Sequence, residues 1–581
     1  MKFLLVAVNA KYIHSNLGVY SIKAYADKVL NGSRICQIEI GEYTINQQPD
    51  DILQDIYRRK PDVIGFSCYI WNIQYVKQLV RDIPKILPGM GIWLGGPEVS
   101  YNAKEILEQE PSVTGVMVGE GEAAFAELAD WYQEKSEEEK LCVGTRELSE
   151  VRGLVFREPS GRIVETLPRP LLDLDEIPFS YGNLEGLEHR IIYYESSRGC
   201  PYSCSYCLSS IDKKVRFRSL ELVKKELDFF IEHKVPQVKF VDRTFNCKKS
   251  HALAVWKYLL EHDNGITNFH FEISADLIDE EELAVMKQMR PGLIQLEIGV
   301  QTTNPQTIAE IRRKMDLGRL KEVVDTINGY GNIHQHLDLI AGLPFEGFHR
   351  FRQSFDDVYR MRPDQLQLGF LKVLTGSYMA EMAENYGLSF HEEPPYEVLS
   401  TNWLNYGEVL RLKGVEDMVE VYYNSGQFSE TLKEMEKHWD SPYAMFEALA
   451  EYYEKHKITG ISHSRLARYE ILFDFLKERE PERTEIYRDL LIYDLYLREN
   501  VKSRPSFARD PGPWKLRIRE FFQKEEKHPE YLMGYEGYDS RQMGKMAHLE
   551  VMGDGTMVLF DYKNRNPLSY NAKAAVIKGD V

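Results

Sequence analysis

Cysteine is scarce in this chain, with seven in 581 residues. That is too few for a disulfide framework, and in a reducing compartment a tight cysteine group reads as a metal or cluster site. Long apolar runs are missing too: none approaches the roughly 18 residues of a membrane span. The N-terminal MKFLLVAVNAKYIHSN stops being apolar at Asn9, too early for a signal-peptide core and its cleavage site. The expectation is a soluble, cytoplasmic protein without membrane partners. Positive charge is also short. With 72 Lys and Arg against 90 Asp and Glu, the net charge is -18, which argues against a broad electrostatic grip on nucleic acid. A local basic groove stays open as an alternative, and the excess acid otherwise serves solubility.

What is present suits a folded, multidomain chain. Apolar residues make up 43%, with 35 Tyr and 26 Phe, enough buried surface to offset chain entropy. A single core stops growing near 250 to 300 residues, so about three or four domains are expected.

The first 130 residues alternate between β-rich runs and amphipathic segments. KFLLVAV (2 to 8), QIEIGEYT (37 to 44), DVIGFSCYI (62 to 70), GIWLGG (91 to 96) and GVMVGEG (115 to 121) read as buried parallel strands, with helical patterns near 17 to 30, 50 to 59, 72 to 87, 101 to 109 and 122 to 134. This predicts a five-stranded doubly wound, Rossmann-like α/β sheet over 1–140, whose ligand lies beyond the strand carboxyl ends. Small residues fall there: Ser67, Gly95, Gly96, Gly119 and Gly121. The charged run EKSEEEK (134 to 140) closes this unit. A linker over 141–185 holds a hairpin around PSG (159 to 161) and a Pro-punctuated connector, PLLDLDEIPFSY (170 to 181).

A second alternation runs over 186–380: RIIYYESS (190 to 197), QVKFVDRTF (237 to 245), FHFEISAD (269 to 276), LIQLEIGVQ (293 to 301), HQHLDLIAGLP (334 to 344) and QLQLGFLKVL (365 to 374). Six successive βα units predict a partial TIM-type (β/α)6 barrel with its chemistry at the strand C-termini. Beyond 380 the pattern becomes Tyr- and Glu-rich helix, so 381–581 reads as a mainly helical domain. It ends in a β-hairpin around Asp554-Gly555.

Directly after the first strand of the second series stands CPYSCSYC, with Cys200, Cys204 and Cys207. Three thiolates on one loop bind three irons of a cubane and leave the fourth free. The alternative is a zinc site, which needs four closed ligands; only three cysteines cluster here, Cys142 and Cys247 being remote in sequence. The C-x3-C-x2-C spacing, with Tyr206 before the last cysteine, resembles the radical S-adenosylmethionine (SAM) superfamily over roughly 186 to 380. The resemblance implies a 4Fe-4S cluster, SAM on the open iron, Tyr206 near the adenine, and an electron donor such as flavodoxin or ferredoxin. By position it offers Asp242, Glu272, Ser274, Glu297 and Gln301 as SAM contacts; each could equally be a polar residue filling the barrel. Glu297, Gly299 and Gln301 share one strand face. Gly342, in DLIAGLPFE, either passes close to the adenine or simply ends its strand with Pro344.

A doubly wound domain ahead of such a barrel resembles the cobalamin-binding arrangement of class B radical SAM methyltransferases. Ser67 with Gly95-Gly96 looks like the serine and double-glycine elements that admit the nucleotide tail, and GEGE (119 to 122) like the fifth-strand element. The usual D-x-H-x-x-G loop is absent, since the first loop reads NAKYIHSNLG. Either His14 reaches cobalt from a nonstandard place or, the preferred reading, no His does. A Rossmann-like domain with another ligand is the alternative. The implied function is methyl transfer to an unactivated carbon. Other readings are a different radical rearrangement or cyclisation, RNA or protein modification using the basic and aromatic stretch RPSFARDPGPWKLRIREFF (504 to 522), which also reads as an ordinary amphipathic helix, and a non-catalytic cobalamin or redox sensor. The C-terminal 200 residues resemble an uncharacterised domain that follows some such proteins.

Overall fold

The computed structural model describes residues 1–30, 36–141 and 147–577, the side chains of 135–141 excepted. Most of the charged run at 134 to 140, and Cys142, lie outside the described side chains. The first sheet comprises β1 (Lys2–Asn9), β2 (Gln37–Thr44), β3 (Val63–Ser67), β4 (Gly91–Gly95), β5 (Gly115–Met117), β6 (Leu154–Arg157) and β7 (Ile163–Glu165). Its order is β2-β1-β3-β4-β5-β6-β7. The first five strands are parallel, as expected; β6 and β7 join antiparallel, making seven strands instead of five. The hairpin read as part of a linker therefore completes the sheet. The physical reason is the shortness of β5, whose backbone would otherwise form an open edge. Gly161, at φ 88°, makes the turn.

Helices α1 (Leu17–Val29), α2 (Pro49–Arg59), α3 (Ile73–Ile86), α4 (Ala103–Gln109) and α5 (Gly121–Leu141) fill the crossovers. They cover both faces. Leu4, Val6 and Val8 enter one core and Phe3, Leu5 and Ala7 the other, which is why β1 reads as a continuous apolar run.

The second domain begins with β8 (Ile192–Tyr194) and a short antiparallel ribbon, β9 (Ser197–Arg198) with β10 (Arg216–Phe217). Then follow β11 (Gln237–Phe240), β12 (Asn268–Ile273), β13 (Ile294–Gln301), β14 (His334–Ala341) and β15 (Gln365–Phe370). All six main strands are parallel in the order β15-β14-β13-β12-β11-β8. This is the expected partial barrel. Its two edges are covered: Ile191 N donates to Ile13 O at 2.7 Å on the β8 side, and the Asn424 amide pairs with both the N–H and the C=O of Leu366 on the β15 side, each at 2.9 Å. The outer face packs Phe240, Phe271, Ile298 and Leu339 under helices. The inner face carries Tyr193, Lys239, His270, Glu272, Glu297, His336 and Asp338.

After a small ribbon of β16 (Ser389–Phe390) and β17 (Val398–Ser400), helices such as Tyr406–Met418, Pro442–Lys455 and Thr484–Arg498 share one continuous core with the barrel. The chain ends in β18 (Ala547–Val551), β19 (Met557–Asp561) and β20 (Lys573–Val576), an antiparallel sheet in that order. The expected turn at Asp554-Gly555 is present, with Gly555 at φ 88°. The third strand was not expected, because β20 is short and half exposed. In the 504 to 522 stretch Phe507, Phe521 and Phe522 are buried, and Arg504 is paired with Glu550 at 2.7 Å. These side chains pack within the fold. Among the described residues no helix is long and apolar enough to cross a membrane.

Candidate functional site

The cysteine loop is closed at its base by the β9–β10 ribbon. Gly199 sits there at φ 97°, and a Cβ on it would come 2.7 Å from Lys214 O, so no other residue fits. Cys200 N donates to Asp212 O at 3.2 Å and Cys207 N to Cys204 O at 3.1 Å. The far side is held by Ser205, whose N–H reaches Ile311 O at 3.0 Å and whose C=O accepts from Met379 N at 2.8 Å.

Cys200, Cys204 and Cys207 all line one cavity of about 180 Å³. Five of the positions expected from sequence meet them there: Tyr206, Glu272, Ser274, Glu297 and Gln301. Two do not. Asp242 is fully buried beneath the loop, where it accepts from Ser196 N at 3.0 Å, Ser196 Oγ at 2.7 Å and Ser197 Oγ at 2.5 Å. It thus anchors the backbone leading into Cys200, and burial pushes its pKa up to about 7. Gly342, at φ 89°, ends β14; a Cβ there would meet Val398 Cγ1 at 2.7 Å.

Arg243, Arg313, Lys314 and Asp338 line the cavity as well, and sequence reasoning missed them. Arg313 approaches Cys204 Sγ at 3.9 Å and Tyr206 Oη at 3.4 Å, and donates to Gly299 O. Burial raises the Cys204 thiol pKa, and the Arg313 guanidinium opposes that shift. Only Asp338 left a usable signal: it follows His336 at strand spacing on the inner face.

The carboxylates on this face differ. Burial pushes Glu297 upward, but His270, whose Nε2 lies 3.1 Å away, and the charge of Lys239, whose Nζ lies 2.8 Å away, outweigh it and hold the group well below the usual carboxylate range. Burial raises Glu272, and the nearby Glu297 charge adds to the rise. Burial also raises Asp338, against the opposing effect of His336 at 3.1 Å. Gln301 holds a left-handed φ of 70°, which costs about 1 kcal/mol or more for a residue with a side chain. Its Oε1 and the Nε of Arg313 are buried without partners, so the cavity offers unused polar atoms to a ligand. Among the described residues no group of three or more His, Cys, Asp or Glu is arranged to hold a single metal ion; the thiols instead ring the cavity.

The carboxyl edge of the first sheet adjoins this cavity. Gly96, after β4, has φ 111°, and a Cβ would lie 2.5 Å from Cys68 O. Ser67 ends β3, with its hydroxyl 3.5 Å from Asn16 Nδ2 and its carbonyl accepting from Asn72 Nδ2 at 2.8 Å. Gly95 O accepts from Cys68 N at 2.7 Å. Gly119 has φ 82° and open space around its Cβ position, and Gly121 begins α5 against Ile22. Exposed Tyr12 (62%), Trp71 (42%) and Tyr101 (45%) stand on the loops of this edge, and Tyr69 stacks on Trp71 at 4.3 Å. Such an apolar rim suits a broad, flat ligand. His14 is engaged elsewhere, with Nδ1 2.7 Å from Tyr193 Oη of the barrel. Tyr101, after β4, lies against Gly376, after β15, where a Cβ would come 2.5 Å from the Tyr101 ring, and Glu98 accepts from Tyr396 Oη at 2.5 Å. The two strand-end faces therefore meet.

Comparison with known proteins agrees with this geometry. Residues 4–129 match the B12 binding domain and residues 194–358 the radical SAM superfamily. The chain joins a B12-binding domain to a radical SAM domain. Residues 384–566 match a protein of unknown function (DUF4080). An uncharacterised methyltransferase of Pyrococcus horikoshii is 26% identical over 66% of this chain and 79% of its own length. The cobalamin-dependent radical SAM methyltransferase TokK of Streptomyces tokunonensis is 26% identical over 57% of this chain and 50% of its own. The chain thus spans most of the first relative and about half of the second. Among solved structures, the cobalamin-dependent SAM radical enzyme OxsB with aqua-cobalamin superposes with a TM-score of 0.60 at 15% identity, covering 85% of this chain and 83% of OxsB. The radical SAM methyltransferase TsrM of Kitasatospora setae, with cobalamin and a [4Fe-4S] cluster, superposes with a TM-score of 0.55 at 17% identity, over 68% of this chain and 82% of TsrM. These likenesses establish the shared fold. Both domain resemblances seen in the sequence hold.

Proposed function

We propose that this chain is a cobalamin-dependent radical SAM enzyme that cleaves SAM reductively and transfers a methyl group to an unactivated carbon. The observation that carries the reading is a single cavity in which Cys200, Cys204 and Cys207 face the polar ends of β12, β13 and β14, beside the carboxyl edge of a B12-binding sheet. Cys200, Cys204 and Cys207 would hold a 4Fe-4S cluster, which would supply the electron for reductive SAM cleavage, and a cobalamin on the first sheet's edge would supply the methyl group.

The protein's part is to bind, orient and seal. The three thiols become ligands by losing their protons, which burial opposes at Cys204 and Arg313 favours. Tyr206 flanks the thiols; Gln301 and Arg313 present unused polar atoms to the amino-acid and ribose parts of SAM. Glu297 stays ionised against Lys239, whereas Glu272 and Asp338 hold protons more readily. On the other side Ser67, Gly95, Gly96, Gly119 and Gly121 would take the cobalamin tail, and Tyr69, Trp71 and Tyr101 would line the corrin. His14, whose Nδ1 lies 2.7 Å from Tyr193 Oη, would be held to the barrel and not to a bound cobalamin. Closing the two strand-end faces on each other excludes water from the radical chemistry. An electron donor such as flavodoxin or ferredoxin in the cytoplasm would provide the electron.

The test is anaerobic incubation of reconstituted protein with SAM and dithionite, with 5'-deoxyadenosine measured by chromatography. The nucleoside is expected to form from wild-type protein and not from Cys204→Ala. No nucleoside from a preparation with full iron and cobalamin would defeat the proposal and favour a sensor.

A further inference from the structure

The acidic pair in GEGE, Glu120 and Glu122, has no role in the account so far, although both stand where the B12-binding sheet ends and α5 begins. Their carboxylates reach the β9–β10 ribbon of the second domain. Glu122 is buried, takes a hydrogen bond from Ser21 Oγ at 2.9 Å, and meets Arg198 Nη2 at 2.8 Å. Glu120 pairs with Arg216 and lies 3.3 Å from Arg198. It also accepts from Leu172 N at 3.2 Å, while Arg216 Nη1 donates to Leu172 O at 2.6 Å.

The partners define what is being held. Arg198 stands two residues before Cys200, and Arg216 is its antiparallel neighbour in the ribbon that closes the cysteine loop. Both ends of that loop are thus gripped by two side chains from the other domain. Glu195, 2.7 Å from Arg198, and Asp212, 3.6 Å from Arg216, complete the charged surroundings. Glu122 is the most buried of the four acids around these two arginines, so removing its charge takes from Arg198 its most desolvated partner and leaves that guanidinium to Glu120 and Glu195.

Resting on the proposed function, we infer that Glu120 and Glu122 are positioning residues for the cluster: a carboxylate pair of the B12-binding domain that fixes, through Arg198 and Arg216, where the Cys200 loop stands relative to the cobalamin edge. The pair is a mechanical link between the two cofactor sites. It acts through the arginines and touches no reacting atom.

The experiment uses the full-length, anaerobically reconstituted protein with cobalamin bound. Glu122→Gln is nearly isosteric and removes only the charge. It is expected to lose iron to a chelator about tenfold faster than wild type, as for other residues that orient metal ligands, and to change the way SAM perturbs the electron paramagnetic resonance spectrum of the reduced cluster. Glu122→Asp, which keeps the charge, should recover most of the wild-type spectrum. A purely structural role would lower the melting temperature and leave that spectrum unchanged; that outcome overturns the inference, as does wild-type iron retention. Should Glu122→Gln fail to fold, as judged by circular dichroism and loss of cobalamin, the more exposed Glu120→Gln decides by the same two readouts. Absence of any reducible cluster in wild-type protein would instead sink the proposed function itself.

Discussion

The two parallel sheets of this protein use the same βα grammar and bury their strands differently. β1 is buried from Phe3 to Asn9, and its alternate residues feed two separate apolar cores. β13 is buried only at every second position, Ile294, Leu296, Ile298 and Val300, while Gln295, Glu297, Gly299 and Gln301 face the interior of the half-barrel. A sheet covered on both faces can offer a ligand only its edge. A sheet curled into an open barrel can also offer its concave face, and here that face carries ionisable side chains where closed barrels usually pack branched aliphatics. The difference assigns one cofactor to a rim and the other to a cavity.

Substitutions can break that contrast. The largest effect belongs to Cys204→Ala, which should abolish the reduced-cluster signal and all 5'-deoxyadenosine while leaving cobalamin binding by the first sheet intact; simultaneous loss of cobalamin would mean that the two sites do not divide as described. Next is Leu94→Ala, at a position buried in the first sheet. It should lower stability in urea by about 2–5 kcal/mol through the cavity it leaves, with no change in the cluster spectrum. Glu297→Gln should do the reverse. It costs only about 1–2 kcal/mol, since Lys239 keeps Glu272 at 3.7 Å, yet it should alter the response of the cluster spectrum to SAM.

The smallest effect lies in the helical domain, remote from both sheets. Asp494 accepts from Thr431 N at 2.9 Å and Thr431 Oγ1 at 2.7 Å, and burial raises its pKa to about 7. A carboxyl raised on folding stabilises most below its unfolded pKa, and that contribution fades as pH climbs through the folded value. Asp494→Asn should therefore flatten the decline in stability between about pH 4 and 7 and leave the cluster spectrum unchanged, read from urea melts across that range and from the reduced-protein spectrum.

Much of this was legible in the chain. The period-two runs located all six barrel strands, because an apolar outer face and a polar inner face leave a strict alternation. The same parity placed Glu297 and Gln301 on the cavity wall. Arg313 was not legible: it follows a short helix, Pro305–Glu310, and reaches Cys204 only through the tertiary path of its loop. Asp242 shows the opposite case. Its position at a strand end suggested a ligand contact, yet the hydroxyls of Ser196 and Ser197 draw it beneath the loop. The hairpin at 154 to 165 was visible as a hairpin, but nothing local revealed that β5 would need it as a neighbour.

The central claim is that three thiolates hold a cluster with one iron left for SAM. Electron paramagnetic resonance of the dithionite-reduced, anaerobically reconstituted chain, recorded without and with SAM, tests it most directly. The account predicts a reduced 4Fe-4S signal whose g values move when SAM is added. A signal indifferent to SAM, or a zinc-loaded protein with no signal, would contradict it.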